Sequence, residues 1–137
     1  MKTIVLIGCV KTKLDRKSKA EELYTSDLFK GRLKYTRMLR PDYIYILSAK
    51  YGLVDLKQEI EPYDKTLKTM TAIEIKKWAD DVINKLRKKV DLKKDKVLFL
   101  CGEKYRKYLI PHIANYEVLL GNLSQGKQLQ FFKNLDG

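Results

Sequence analysis

Hydrophobic and polar positions alternate along this chain in two distinct rhythms. Residues 3–8, TIVLIG, are continuously apolar and β-branched, the pattern of a strand covered on both faces. YIYIL at 43–47 and KVLFL at 96–100 repeat that pattern, and 116–120 is a fourth strand. Between them the period changes to that of helices. The clearest is 71–89, where Ile75, Trp78, Ala79, Val82, Ile83 and Leu86 recur at helical spacing behind Thr69 or Thr71 as a cap. A looser face of Leu28, Phe29, Leu33, Tyr35, Thr36 and Leu39 predicts a helix that Pro41 stops. Its start is set by a Ser18–Glu21 capping box or by Ser26. CGEKYRKYLIPHI reads as a turn and a short helix ended by Pro111. Asn122 or Ser124 caps a last helix to about residue 135, with Leu129, Phe131, Phe132 and Leu135 as packing residues.

Strand and helix thus alternate through the chain. This order predicts a small three-layer α/β fold, with a mostly parallel central sheet of about four strands and helices on both faces. No repeat or linker divides it, so residues 1–137 are expected to form a single domain.

Composition narrows the class. At 45% hydrophobic the chain can bury a core, which excludes wholesale disorder. Its apolar runs are too short to cross a bilayer, and MKTIVLIGCVKTK lacks the features of a signal peptide. A cytoplasmic protein with no membrane association is expected. Cys9 and Cys101 each end an apolar run and read as thiols rather than as a disulfide. His112, the one histidine, reads as structural or surface. No metal-ligand spacing appears, and no cofactor or metal is expected.

The formal charge of +12 favours polyanions. Basic residues group at Lys11, Lys13, Arg16, Lys17 and Lys19, then at Lys30, Arg32, Lys34, Arg37 and Arg40. A third group runs from Lys85 to Lys96. The bland account of these groups is solubility alone.

In an open parallel sheet, sites gather beyond the carboxyl ends of the strands. Four segments follow strands here: GCVKTK, SAKYGLVDLKQEIEPYD, CGEKY and GNLSQGKQ. GCVKTK is not a phosphate loop of the GxxxxGK[ST] type, and SAKYG is not a nucleophile elbow. Lys11, Lys13 and Lys50 are the candidate anion contacts, against the alternative of solvated lysines. Tyr51 is placed to stack on a base or to pack on its own loop. Gly52 suits a position of positive φ. Asp64, in EPYD, is the candidate polar catalyst, able to orient water or stabilise a sugar cation; its alternative is a turn role. Ser48, at a strand end, is a candidate catalytic hydroxyl, with no histidine nearby in sequence to act as its base. Cys9 is a candidate nucleophile or an inert buried thiol.

Five ordered blocks carry a family likeness: LIGCVKTK, LYTSDLFKGRLKY, ILSAKYGLVDLKQEIEPYDKTL, VLFLCGEKYRKYL and LLGNLSQGKQLQFF. Together they resemble a family of small bacterial and phage proteins of unknown function related to YaaA. More distantly, the order of motifs is similar to the glycosylase-like domain of archaeosine synthase. By position this second likeness implies roles for Cys9, Lys11, Lys13, Tyr24, Ser26, Phe29, Ser48, Lys50, Gly52, Tyr63 and Asp64. Val10 departs from it, standing where serine is usual. The likeness to proteins near YaaA implies DNA binding and a link to oxidative stress.

The expectation is therefore a nucleic-acid or nucleotide binding protein with a base-recognition pocket, acting on an N-glycosidic bond if it is an enzyme. The alternative is a non-enzymatic DNA-binding or protein-interaction factor of phage or stress-response origin. It would use an exposed basic face that includes Lys30, Arg32 and Lys34.

Overall fold

The computed structural model describes residues 1–135. Its elements run β1 (Thr3–Gly8), β2 (Ser18–Lys19), α1 (Ala20–Leu23), α2 (Asp27–Met38), β3 (Tyr43–Ser48), β4 (Gly52–Asp55) and β5 (Glu59–Ile60). They continue with α3 (Ala72–Arg87), β6 (Lys96–Leu100), α4 (Glu103–Arg106), β7 (Tyr116–Val118) and α5 (Gln125–Asn134). The central sheet has five strands in the order β4-β3-β1-β6-β7. Every pairing in it is parallel except that of β3 with β4.

The continuous apolar runs are explained by two cores. On β1, Ile4 and Leu6 face one core while Val5 and Ile7 face the other. β3 and β6 divide their side chains in the same way. On one face α3 buries Ile75, Trp78, Ala79, Val82, Ile83 and Leu86. On the other, α1 and α2 contribute Ala20, Leu23, Phe29 and Leu33. α5 lies against α2, with Phe131 and Phe132 meeting Tyr35 edge-on and at a tilt, respectively. This is the three-layer α/β arrangement with a mostly parallel sheet. No helix among the described residues is long and apolar enough to cross a membrane.

Several local expectations change. The sheet gains β4, because the segment after β3 turns straight back: residues 49–51 join Ser48 to its partner Gly52. Gly52 sits at φ +74°, a conformation that glycine adopts without strain. Ser18 and Glu21 do not form a capping box. Ser18 instead enters β2, which pairs with β5, and Ser26 caps α2 by accepting from the Phe29 amide at 3.1 Å. α3 is capped by Thr71, which forms a full capping box with Glu74. Ser124 caps α5. Pro111 does not terminate a helix: it lies within a 3-10 turn, Ile110–His112, whose first residues need no amide donor. Leu39 is an exposed helix end rather than a packing residue.

The connections are stitched to one another. Lys13 bridges to Tyr24 in antiparallel fashion, and the Leu14 and Thr25 amides donate to Leu23 O and Thr12 O. Farther along, Ala20 N and Glu21 N donate to Gln58 O and Leu56 O. The loop after β1 and the segment after β4 are therefore held around α1, at fixed positions relative to the sheet.

Candidate functional site

The parallel strands β1, β3 and β6 end side by side, at Cys9, Ser48 and Cys101. β1 and β6 approach so closely there that a Cβ on Gly8 would lie 2.7 Å from Cys101 Cβ. The stitched connections bring Lys13, Tyr24 and Tyr63 onto the same rim, and α4 brings Tyr105.

A chain of hydroxyls occupies its centre. Ser48 Oγ donates to Tyr63 Oη at 2.8 Å, and the Tyr63 and Tyr24 hydroxyls share a hydrogen bond of 2.6 Å. Ser48 Oγ also accepts from the amides of Lys50 (3.3 Å) and Tyr51 (3.0 Å), and Ser48 O accepts from Trp78 Nε1 at 2.8 Å. Ser48 is fully buried. Its oxygen holds the 49–51 turn and its proton goes to Tyr63, so the residue anchors the rim. Burial raises the Tyr24, Tyr63 and Tyr105 hydroxyls well above the ordinary tyrosine range, which keeps all three protonated.

Around that chain runs a row of rings and cations. Lys13 Nζ stands 4.4 Å from the centroid of the Tyr63 ring. Tyr63 meets Tyr51 edge-on at 5.7 Å, and Lys50 Nζ stands 5.2 Å from the Tyr51 ring. Lys13 is partly desolvated, and that burial lowers its pKa, while the nearby Cys9 and Asp64 act in the opposite direction. Cys9 Sγ lies 3.2 Å from Tyr105 Oη, and Tyr105 meets Trp78 edge-on at 5.7 Å. A groove of about 450 Å³ opens beside the turn, between Lys50–Gly52 and the Trp78, Asp81 and Lys85 positions of α3. A depression of about 600 Å³ lies at the opposite end of the sheet, around Asp42, Ile44 and Asp55–Gln58.

The residues expected from the sequence divide as follows. Cys9, Lys13, Tyr24, Ser48 and Tyr63 come together at the rim, with Tyr51 and Lys50 at its edge. Tyr24 is buried and touches Phe29, so it positions Tyr63 and offers no ring face to a ligand. Ser26 is committed to capping α2. Lys11 is exposed, and its carbonyl accepts from Lys13 Nζ at 2.9 Å. Asp64 is exposed, with its carboxylate in the field of Lys13. Gly52 serves the hairpin.

Arg32, expected on an exposed basic face, is instead 5% exposed, on the inward stripe of α2 with Phe29, Leu33 and Thr36. That spacing is the signal that identifies it. Tyr105 was visible only as part of CGEKY, and Trp78 only as a packing residue. Among the described residues no group of three histidine, cysteine or acidic side chains is arranged to hold a metal ion.

The two thiols differ in access. Cys101 is buried and its thiol is pushed up to about 12 by burial, whereas Cys9 is half-buried. A maleimide at pH 7.5 is therefore expected to modify Cys9 alone in the native protein, and both thiols in urea. Mass mapping that finds Cys101 labelled as fast as Cys9 under native conditions would contradict this rim geometry.

No curated protein matches this sequence. A family described as "Family of unknown function (DUF6884)" matches residues 4–134, nearly the whole chain. The chain belongs to this DUF6884 family.

Proposed function

We infer that the protein binds nucleic acid or a nucleotide and recognises a base at the strand-end rim. The observation that carries this reading is the row Lys13–Tyr63–Tyr51–Lys50, two aromatic rings in contact with a cation at each end, beside a groove on a chain of charge +12. Tyr51, half-exposed at the mouth of the groove, is the stacking surface for a base, an interaction worth about 1–3 kcal/mol. Lys50 and Lys13 supply the phosphate attraction. The likeness to YaaA-related proteins and to the glycosylase-like domain of archaeosine synthase supports the same reading. It also favours N-glycosidic chemistry, in which Asp64, exposed beside Lys13, orients water or stabilises the sugar cation.

Fluorescence anisotropy with labelled single-stranded DNA and RNA tests the binding. Association is expected at low salt. Lys13→Ala and Lys50→Ala should each reduce the slope of log K against log salt by about one. Absence of association at low salt rejects the reading. The chemistry is tested by base release from nucleosides and modified DNA: Asp64→Asn should abolish it, and equal release by the variant rejects that assignment. If charge reversal at Lys30 and Lys34 weakens binding more than any change at the rim, the protein is instead an interaction factor that uses the outer face of α2.

A further inference from the structure

An arginine as deeply buried as Arg32 is ordinarily paired with a carboxylate, because a desolvated cation without a counter-charge is strongly unfavourable. Arg32 has no acidic partner among the described residues. Its Nη2 donates to Gln128 Oε1 at 3.3 Å, and its Nε is sealed without any acceptor. Nη1 makes no hydrogen bond within the described residues. It lies beneath the rim: a Cβ on Gly8 would stand 3.7 Å from it. The groups whose charge it senses are Cys101, Cys9 and Tyr105, all at the ends of β1 and β6. Burial lowers its pKa from the usual value, but a guanidinium stays charged at neutral pH. Lys13 also has Cys9 as a charge neighbour.

We propose that Arg32, together with Lys13, forms an oxyanion subsite that holds the phosphate of a phosphomonoester at the end of β1. The inference rests on the nucleotide reading above and names the part of the nucleotide held there. A phosphomonoester carries close to two negative charges at neutral pH, which matches two cations better than a carboxylate does. The planar fork of Arg32 suits two oxygens of one phosphate. The bound anion supplies the counter-charge that the described residues do not. Phosphate lies inward at Arg32 and the base outward toward Tyr51.

The test is a thermal-shift and calorimetric titration with inorganic phosphate, a nucleoside 5′-monophosphate and the corresponding nucleoside. Phosphate and the monophosphate should raise the wild-type Tm saturably. Arg32→Met should abolish that shift, while its own Tm without phosphate equals or exceeds that of the wild type, because the uncompensated charge is gone. A purely structural arginine predicts the reverse: a lower Tm and an undiminished phosphate shift. If Arg32→Met does not fold, Arg32→Lys decides. It keeps the charge but loses the fork, so phosphate binding should weaken at least about tenfold, and unchanged affinity overturns the proposal. Absence of any phosphate shift in the wild type also overturns it. Equal binding of nucleoside and monophosphate overturns it while leaving the base-recognition reading intact. Tight phosphate binding without preference for a nucleotide supports the subsite and removes that reading.

Discussion

Trp78→Ala is expected to lower the unfolding free energy by about 3–5 kcal/mol, as removal of a large buried aromatic does. Trp78 is 7% exposed and lies on the buried stripe of α3. Its ring meets Tyr105 edge-on at 5.7 Å, and its indole N–H donates to Ser48 O at 2.8 Å. The truncation thus opens a cavity under the rim, removes a hydrogen bond to a buried residue's carbonyl and takes away the ring that packs on Tyr105. For a domain whose total stability is about 5–15 kcal/mol, this approaches global unfolding. Trp78→Phe separates the contributions: it preserves most of the apolar area but removes the donor, at about 1–3 kcal/mol. Urea denaturation followed by circular dichroism measures both, since the substitution removes the only tryptophan. An alanine variant within about 1 kcal/mol of wild type would contradict the packing described for α3.

Ser48→Ala carries the second large effect. The change removes one atom and leaves a buried shape nearly unaltered, so volume contributes little. The loss is of partners. The Lys50 and Tyr51 amides lose their acceptor and Tyr63 Oη loses a donor. Leaving such groups unpaired costs about 1–3 kcal/mol. The 49–51 turn should loosen, so the Tyr51 amide should exchange faster with solvent than in the wild type, and nucleotide binding should weaken with it. Hydrogen-exchange measurements read the turn directly. Unchanged protection at Tyr51 would show that the turn does not depend on this side chain.

The parts of the fold legible from sequence share one physical cause. TIVLIG and KVLFL are buried on both faces, so their hydrophobicity is continuous and marks them as strands of a covered parallel sheet. α3 was legible because its apolar stripe is long and its Thr71–Glu74 cap is local. β4 was not. Its four residues, GLVD, look like part of an irregular connection, and only pairing with β3 makes them a strand. β2 and β5 are shorter still, two residues each, and exist only through long-range contact with each other.

The site followed the same division. Strand-end topology located the rim, and Cys9, Lys13, Ser48 and Tyr63 converge on it. The hydroxyl chain could not be read, because Tyr24 and Tyr63 are 39 positions apart. Arg32 was misplaced because its neighbours Lys30 and Lys34 are exposed, and charge alone does not tell which arginine of a basic run turns inward. Its register with Phe29 and Thr36 on a helical face does.

The proposed function places the site where β1, β3 and β6 end, and not in the larger depression at the other end of the sheet. Amide chemical-shift mapping of the folded protein, titrated with a nucleoside 5′-monophosphate, tests it most directly. Saturable shifts are expected at Cys9–Lys13, Ser48–Gly52, Tyr63 and Cys101–Tyr105, with the Arg32 side-chain signal moving in step. Shifts confined to Asp42, Ile44 and Asp55–Gln58, or none anywhere, would contradict it.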